Sequence, residues 1–244
     1  MGHFFVLLPI LLLMAALLER AYRADRTNTY AKYFRNFAWL WTACTLIGSS
    51  SIFLAESGIL DLKPQYAQLV GASLSLPFHY FASAALLLLP FAIYRRYMKV
   101  GYALATLVIA GGAFIGSVIF VKANNLFASL GAFQGIYQFA WANLPNIRLS
   151  VILIVLIPVA LFFVREALVA STAEARTRIL VIAIGTAWIG VLGGVHVWLG
   201  PPPVGFEVDN ADLLLPLGFL IVFLGLFYHR RTAIQAQPST PELS

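Results

Sequence analysis

Long runs of residues without a charged side chain constrain this sequence more than any other feature, and residues 82–93 form one of them. Of the 244 residues, 61% are hydrophobic and only 11% are charged. Soluble domains carry about 25% charged residues. Inside a bilayer only helices and closed barrels satisfy every backbone hydrogen bond, and barrel strands alternate apolar with polar residues, which these runs do not. The sequence therefore predicts an all-α, polytopic membrane protein and excludes a soluble enzyme, a coiled coil and collagen.

Seven segments approach or exceed the roughly 20 apolar residues that a helix needs to cross a bilayer. They are residues 3–18, 37–55, 71–94, 100–121, 149–164, 179–199 and 213–228. No lysine or arginine precedes the first segment, which distinguishes it from a secretory signal peptide. We predict seven transmembrane helices in one domain over residues 1–231, followed by a short disordered cytoplasmic tail over residues 232–244.

The loops between these segments alternate between basic and poorly basic. Thirteen of the sixteen lysines and arginines fall on one side, and the other side receives only Lys63, Lys122 and Arg148. Cytoplasmic loops of membrane proteins carry the excess of lysine and arginine. The charge distribution therefore predicts an N-terminus outside and a C-terminus in the cytoplasm. We expect the protein to be integral to a membrane, the bacterial cytoplasmic membrane being the best fit.

The connection between the fourth and fifth segments carries an amphipathic pattern over residues 126–141. Apolar residues recur every three or four positions, and Asn125, Ser129, Gln134 and Gln138 fall largely between them. This pattern is typical of a helix lying in the membrane interface. We predict an outer interfacial helix here, which either anchors the chain or covers a cavity of the bundle.

Ionisable residues inside spans mark ion pathways and proton relays, and no predicted span has Asp, Glu, Lys or Arg at its centre. In this interpretation Arg148 lies at the outer end of its span. The single Cys44 excludes an internal disulfide and a cysteine-rich metal site. These features disfavour a pump or proton-coupled transporter, and we expect no catalytic residues and no resident cofactor.

Three histidines have similar predicted depths. His79 is 16 residues from Arg95, His196 is 18 from Arg178, and His3 is 16 from Glu19. With a rise of about 1.5 Å per residue, all three lie roughly 24–27 Å above the inner boundary. The simplest interpretation places each ring among the lipid headgroups. A shared ligand or metal ion is the alternative, with His3, His79 and His196 as candidate metal ligands.

Other polar groups at this height predict a ligand pocket in the outer leaflet. Pro77 has no N–H to bond the Ser73 carbonyl, which leaves that carbonyl available on the third segment. A run of serines reaches the same height on the second segment. We predict that His79 and His196 face the bundle interior and approach each other beneath the 126–141 helix. The predicted lining consists of Ser49, Ser50, Ser73, His79, His196 and Trp141.

The last two segments resemble a known module. Arg176 and Arg178 lead into an apolar helix with Gly185, Gly193 and Gly194, and a proline-bearing loop precedes the last helix, which ends in His229, Arg230 and Arg231. This pattern resembles the seven-helix N-terminal membrane sensor module of bacterial histidine kinases and related signalling proteins. The resemblance implies a sensing role. Those proteins continue into a cytoplasmic output domain, which this sequence lacks, so we expect a separate partner.

The predicted pocket and the resemblance favour a non-enzymatic, sensor-like or accessory membrane protein. We expect it to bind a small apolar or amphipathic ligand from the outer leaflet and to act through a separate membrane or cytoplasmic signalling partner, without nucleic acid. Two alternatives stay open. One is a haem- or metal-binding redox protein that uses His79 and His196, and the other is a small-molecule channel or facilitator.

Overall fold

The computed structural model describes residues 2–59, 64–199 and 211–227. The side chains of residues 2–5, 52, 64–66, 68, 69, 72, 191–199 and 211–215 lie outside that description. Within these ranges all regular structure is helical, which confirms the all-α prediction. The helices are α1 (Gly2–Ala24), α2 (Thr29–Glu56), α3 (Pro64–Ile93), α4 (Met98–Ala123), α5 (Gln134–Ala142), α6 (Leu144–Val169), α7 (Ala173–Leu199) and α8 (Ala211–Phe227).

The described part of each predicted span lies on its own helix, with Tyr94 just past the end of α3. Among the described residues, four helical stretches are long and apolar enough to cross a bilayer: Thr29–Glu56, Ser73–Ile93, Arg95–Ala123 and Leu144–Val169. This is compatible with an integral membrane protein. Membrane crossing by α1, α7 and α8 and the direction of insertion stay predictions. The predicted boundary at residue 231 and the tail 232–244 lie outside the described residues.

Short connections between α1 and α2, between α3 and α4, and between α6 and α7 reverse the chain direction and give the bundle two distinct ends. At one end, Asn28 caps α2 by accepting a hydrogen bond from the Ala31 N–H (2.9 Å), and Thr172 accepts one from the Ala175 N–H (3.1 Å) at the start of α7. We call this the basic end, because the loops α1–α2, α3–α4 and α6–α7 bring most lysines and arginines there. We call the opposite end, where α4 is joined to α6 through α5, the α5 end.

Six helices close a ring around an apolar core. Contacts run from α1 to α2, α3, α6, α7, α8 and back to α1, while α4 packs against α3 and α6. Aromatic rings occupy the centre: Phe34 lies 6.4 Å from Phe163, and Phe37 stacks on Phe219 with centroids 5.8 Å apart. Each such pair contributes about 0.5–1.5 kcal/mol beyond the apolar area it buries. The centre of the ring is therefore filled with side chains where these aromatic residues meet.

Glycines set the closest helix contacts. A Cβ at Gly185 would lie 2.9 Å from the Gly218 carbonyl oxygen, so only glycine lets the α7 and α8 backbones approach this closely. On α4, a Cβ at Gly116 would lie 3.6 Å from the Ser73 carbonyl oxygen, the group that Pro77 leaves without its helical partner. That carbonyl therefore faces α4, where the glycine backbone approaches it.

The single interfacial helix predicted over residues 126–141 is wrong in detail. The segment consists of a 3-10 stretch, Phe127–Phe133, followed by α5, and Gly131 inside the 3-10 stretch has a φ of 55°. A left-handed residue ends helical hydrogen bonding, and glycine adopts that conformation at little cost. The apolar spacing continues across the break, which is why periodicity alone predicted one helix.

Candidate functional site

One face of α2 packs against one face of α3 inside the bundle. Trp41, Cys44 and Gly48 follow one another at intervals of three and four residues on α2, and Ser75 and His79 are four apart on α3. Residues at these intervals share a helix face. The two faces meet closely, since a Cβ at Gly48 would lie 3.4 Å from the Ser75 hydroxyl.

His79 lies among aromatic rings. Its imidazole centroid is 4.5 Å from the Trp41 ring and 5.2 Å from the Tyr80 ring. Trp41 is buried, whereas His79 is only partly buried. Trp41 in turn meets Phe219 of α8 edge-on, with centroids 5.1 Å apart. His79 therefore faces the interior of the helix ring. There its imidazole packs on Trp41, and Trp41 packs on Phe219 of the apolar core.

Arg148 joins this group from α6. A guanidinium N–H donates a hydrogen bond to the Tyr80 hydroxyl, and the charge is near enough to act on the His79 imidazole. Tyr80 is only 3% exposed, and its ring fills the space that a side chain on Gly112 would need. The prediction that Arg148 is a boundary charge at the outer end is therefore incomplete. The helix begins at Leu144 rather than at residue 149, which places Arg148 against α3.

The Cys44 thiol completes the group between α2 and α3. It contacts the Ser75 hydroxyl and the backbone of His79. Ser75 is buried and Cys44 is partly buried. This cysteine therefore belongs to the packing of the two helices that carry Trp41 and His79. We refer to the whole group as the Arg148 cluster, which consists of Trp41, Cys44, Ser75, His79, Tyr80 and Arg148.

Two of the three predicted serines bond their hydroxyls to carbonyls of their own helices. Ser50 donates to the Leu46 carbonyl (2.5 Å) and Ser73 donates to the Val70 carbonyl (2.8 Å), both within their own helices. Ser50 is exposed, Ser49 is partly buried, and Ser73 is buried near α4. Of the serines on α3, Ser75, which was not predicted, is the one that belongs to the Arg148 cluster.

Of the predicted pair His79 and His196, only His79 has a described side chain. His196 lies on α7 and His3 on α1, but both side chains lie outside the described residues, so the predicted approach of His196 to His79 stays a prediction. Among the side chains that are described, no group of three or more His, Cys, Asp or Glu is placed to hold a metal ion.

The segment between α4 and α6 packs back along α4. The Tyr137 hydroxyl is 3.1 Å from the Ser117 hydroxyl, and the Tyr137 ring is 5.7 Å from the Phe114 ring. Trp141 lies beneath the Lys122 ammonium, 5.6 Å from its ring centroid, and packs with the apolar residues around Tyr80. On the other side Phe133, Ile136 and Phe139 are 63%, 55% and 69% exposed. Trp141 therefore lies next to the α3–α4–α6 packing, as part of its cover.

The basic end uses charged pairs instead. The Glu19 carboxylate is 2.8 Å from Arg23 and 3.7 Å from Arg35 of α2. Tyr94, after α3, donates its hydroxyl to the Glu166 carboxylate of α6, and Arg165 lies over the Tyr94 ring at 4.2 Å. These contacts join α1 to α2 and α3 to α6.

In the α1–α2 turn at this end, the Asp25 carboxylate accepts hydrogen bonds from the Thr27 hydroxyl (2.6 Å) and the Thr27 backbone N–H (2.9 Å). These bonds favour the charged form and hold the pKa of Asp25 below its ordinary value.

Sequence reasoning found His79 but missed the residues around it. The missed signal is helical spacing: Trp41, Cys44 and Gly48 on α2, and Ser75 with His79 on α3, mark one shared face. Arg148 and Tyr80 had no comparable signal, because their meeting depends on how α6 packs against α3. Comparison of the chain with protein-family models, with curated proteins and with solved structures gives no match. Its function therefore has to be argued from these contacts.

Proposed function

We propose that this chain is a seven-helix integral membrane protein that binds a small amphipathic ligand at the Arg148 cluster. The observation that carries the proposal is the position of the partly buried His79 between the rings of Trp41 and Tyr80 and near Arg148. Ligand sites are typically apolar and aromatic with a few convergent polar groups, and helix bundles place them between their helices.

The direction of insertion follows from the charge distribution. We propose that the basic end faces the cytoplasm and that the α5 end faces outward, with seven helices crossing the membrane. A ligand then reaches the Arg148 cluster from the outer leaflet. The exposed apolar residues of α5 suit contact with the lipid interface. A reporter fused after Ser244 should be active only in the cytoplasm.

We further propose that the chain has a sensor-like or accessory role and acts through a separate partner. Ligand binding between α3 and α6 has a direct route to the basic end, because the same two helices meet there through Tyr94 and Glu166. A partner in the cytoplasm would then detect a change in the spacing of these helix ends.

Binding can be tested with the purified full chain in phosphatidylcholine nanodiscs. The probe is 4-phenylbutanol, a small neutral amphiphile, and the readouts are intrinsic tryptophan fluorescence and the unfolding temperature. We expect saturable quenching that the Trp41→Phe variant loses and the Trp39→Phe variant keeps, because Trp39 is an exposed residue of the same helix. Absence of saturation, or equal loss in both variants, would contradict the site. A Soret absorption band or stoichiometric metal in the purified protein would favour the redox alternative.

A further inference from the structure

The turn between α3 and α4 carries three basic residues and no acidic one. Arg95, Arg96 and Lys99 fall within five positions, and all three are exposed. No ion pair between described residues includes any of them. The carboxylate of Glu166, on α6, accepts the Tyr94 hydroxyl next to this turn and is only 18% exposed. The three charges of the turn are therefore open to an anion from outside the chain.

The other two connections at the basic end bring carboxylates beside their arginines. Glu19 is paired with Arg23 and Arg35. Asp25 lies in the α1–α2 turn, and Glu174 lies in the first turn of α7. The α3–α4 turn is therefore the connection whose positive charge is least compensated.

Exposed tyrosines accompany the basic residues of this turn. Tyr97 lies between them and Tyr102 lies in the first turns of α4, and both are more than half exposed. The Arg96 guanidinium is 5.9 Å from the centroid of the Tyr97 ring. Tyrosine is enriched at the membrane surface, where its ring lies at the level of the lipid headgroups. The cations of the turn therefore lie at the level of the headgroup phosphates.

An exposed face runs along α4 away from these charges. Its members are Lys99, Tyr102, Ala103, Thr106, Leu107, Ala110 and Ala113. The Thr106 hydroxyl donates to the Tyr102 carbonyl (2.9 Å), so it needs no partner outside the helix. At 1.5 Å per residue the face is about 21 Å long, which spans the roughly 15 Å of hydrocarbon in one leaflet. Beyond it, Tyr137 packs on Phe114 and covers the helix.

We propose that the α3–α4 turn and this face of α4 bind one anionic phospholipid of the leaflet at the basic end. Its phosphate contacts Arg95, Arg96 and Lys99, and its acyl chains lie along Tyr102 and Leu107. Lysines and arginines beside a membrane helix attract anionic lipids, whereas a zwitterionic headgroup brings its own positive charge. An acidic protein would meet the same charges and leave the apolar face uncovered. This inference requires a membrane but no ligand at the Arg148 cluster.

The test measures lipid retention by the purified full chain in dodecylmaltoside, with native mass spectrometry as the readout. The probes are dioleoylphosphatidylglycerol and dioleoylphosphatidylcholine, which share their acyl chains and differ in headgroup charge. We expect the anionic lipid to bind at least about tenfold more tightly. The turn variant, Arg95→Gln/Arg96→Gln/Lys99→Gln, should lose this preference, because it removes all three charges.

A control variant, Arg20→Gln/Arg23→Gln/Arg26→Gln, removes the same charge from exposed positions at the α1–α2 connection and should keep the preference. Equal loss in the two variants would indicate attraction to the whole basic end and would overturn the assignment to the α3–α4 turn. Equal binding of the two lipids by wild type, or an unchanged preference in the turn variant, would overturn the proposal.

Two further arms separate a phospholipid from other anions. Inorganic phosphate at matched ionic strength should not displace the lipid, and displacement would show a site for free anions instead. Leu107→Gln/Ala110→Gln should weaken retention of both lipids, and unchanged retention would overturn the placement of the acyl chains. Unfolding temperatures identify any variant that loses its fold. If the turn variant unfolds, Lys99→Gln alone decides: it should lose part of the preference, and an unchanged preference would overturn the proposal.

Discussion

The two ends of this bundle hold their helices together with different chemistry. At the basic end, arginines meet carboxylates: Glu19 pairs with Arg23 and Arg35, and Glu166 lies between Tyr94 and Arg165. At the α5 end, the contacts described for Arg148 are to Tyr80 and His79. The charged pairs of the basic end join helix ends near water. The contacts at the α5 end place the Arg148 guanidinium against Tyr80 and near His79, between α3 and α6.

The exposed fraction of the side chains that make these contacts also differs between the two ends. The Arg23 and Arg165 side chains are 76% and 58% exposed, so water screens their charges. Tyr80, which receives the Arg148 hydrogen bond, is 3% exposed. A change at the α5 end should therefore perturb packing and ligand binding, whereas a change at the basic end should perturb weaker and more salt-dependent contacts. Four substitutions test this difference.

The largest effect is expected at Gly112. Gly112→Ala places a methyl group where the Tyr80 ring lies, and overpacking of this kind costs about 1–3 kcal/mol. Gly116→Ala is the matched control on the same helix, because its new Cβ would have an ordinary contact distance of 3.6 Å from the Ser73 carbonyl. The unfolding temperature in detergent should fall clearly for the first variant and little for the second. Equal shifts would show that Tyr80 is not held as described.

Glu166 comes next. Glu166→Ala leaves the Tyr94 hydroxyl without its acceptor between α3 and α6, and we expect a loss of about 1–2 kcal/mol in the free energy of unfolding. Glu166→Gln keeps an acceptor oxygen and should recover most of that loss. If the glutamine variant is as unstable as the alanine variant, charge rather than the Tyr94 hydrogen bond holds this end.

Tyr80→Phe removes one hydroxyl and leaves the ring in its place. The expected cost is about 1 kcal/mol in stability, because the Arg148 hydrogen bond is lost while the packing against Gly112 remains. An unfolding temperature equal to that of wild type would mean that the Tyr80 hydroxyl has no part in holding Arg148.

The smallest effect is expected for Glu19→Gln. Arg23, its nearer partner, is 76% exposed, and ion pairs with exposed side chains contribute little to stability. The difference from wild type should shrink when the salt concentration is raised, because counter-ions screen exposed charges. A shift that exceeds that of Gly112→Ala, or that is independent of salt, would contradict the contrast between the two ends.

The length of the apolar runs predicted the long helices well, because it depends on local sequence. Residues 100–121, free of charge, lie wholly within α4, and residues 149–164 lie within α6. The predicted span began five residues after the start of α6, because polar residues lie between Leu144 and the apolar run that begins at residue 149. That error hid Arg148, whose meeting with Tyr80 depends on the packing of α6 against α3. The break at Gly131 was missed because a backbone angle does not change apolar spacing.

We expect the basic end and the α5 end to lie on opposite sides of a membrane, and cysteine labelling tests this directly. Cys44 is the only cysteine, so a Cys44→Ala background leaves no native thiol. Two single replacements are then compared, Phe139→Cys on the exposed face of α5 and Arg96→Cys in the exposed α3–α4 turn. A membrane-impermeant maleimide should label the first in intact cells and the second only after lysis. Labelling of both in intact cells, or of Arg96→Cys alone, would contradict the account.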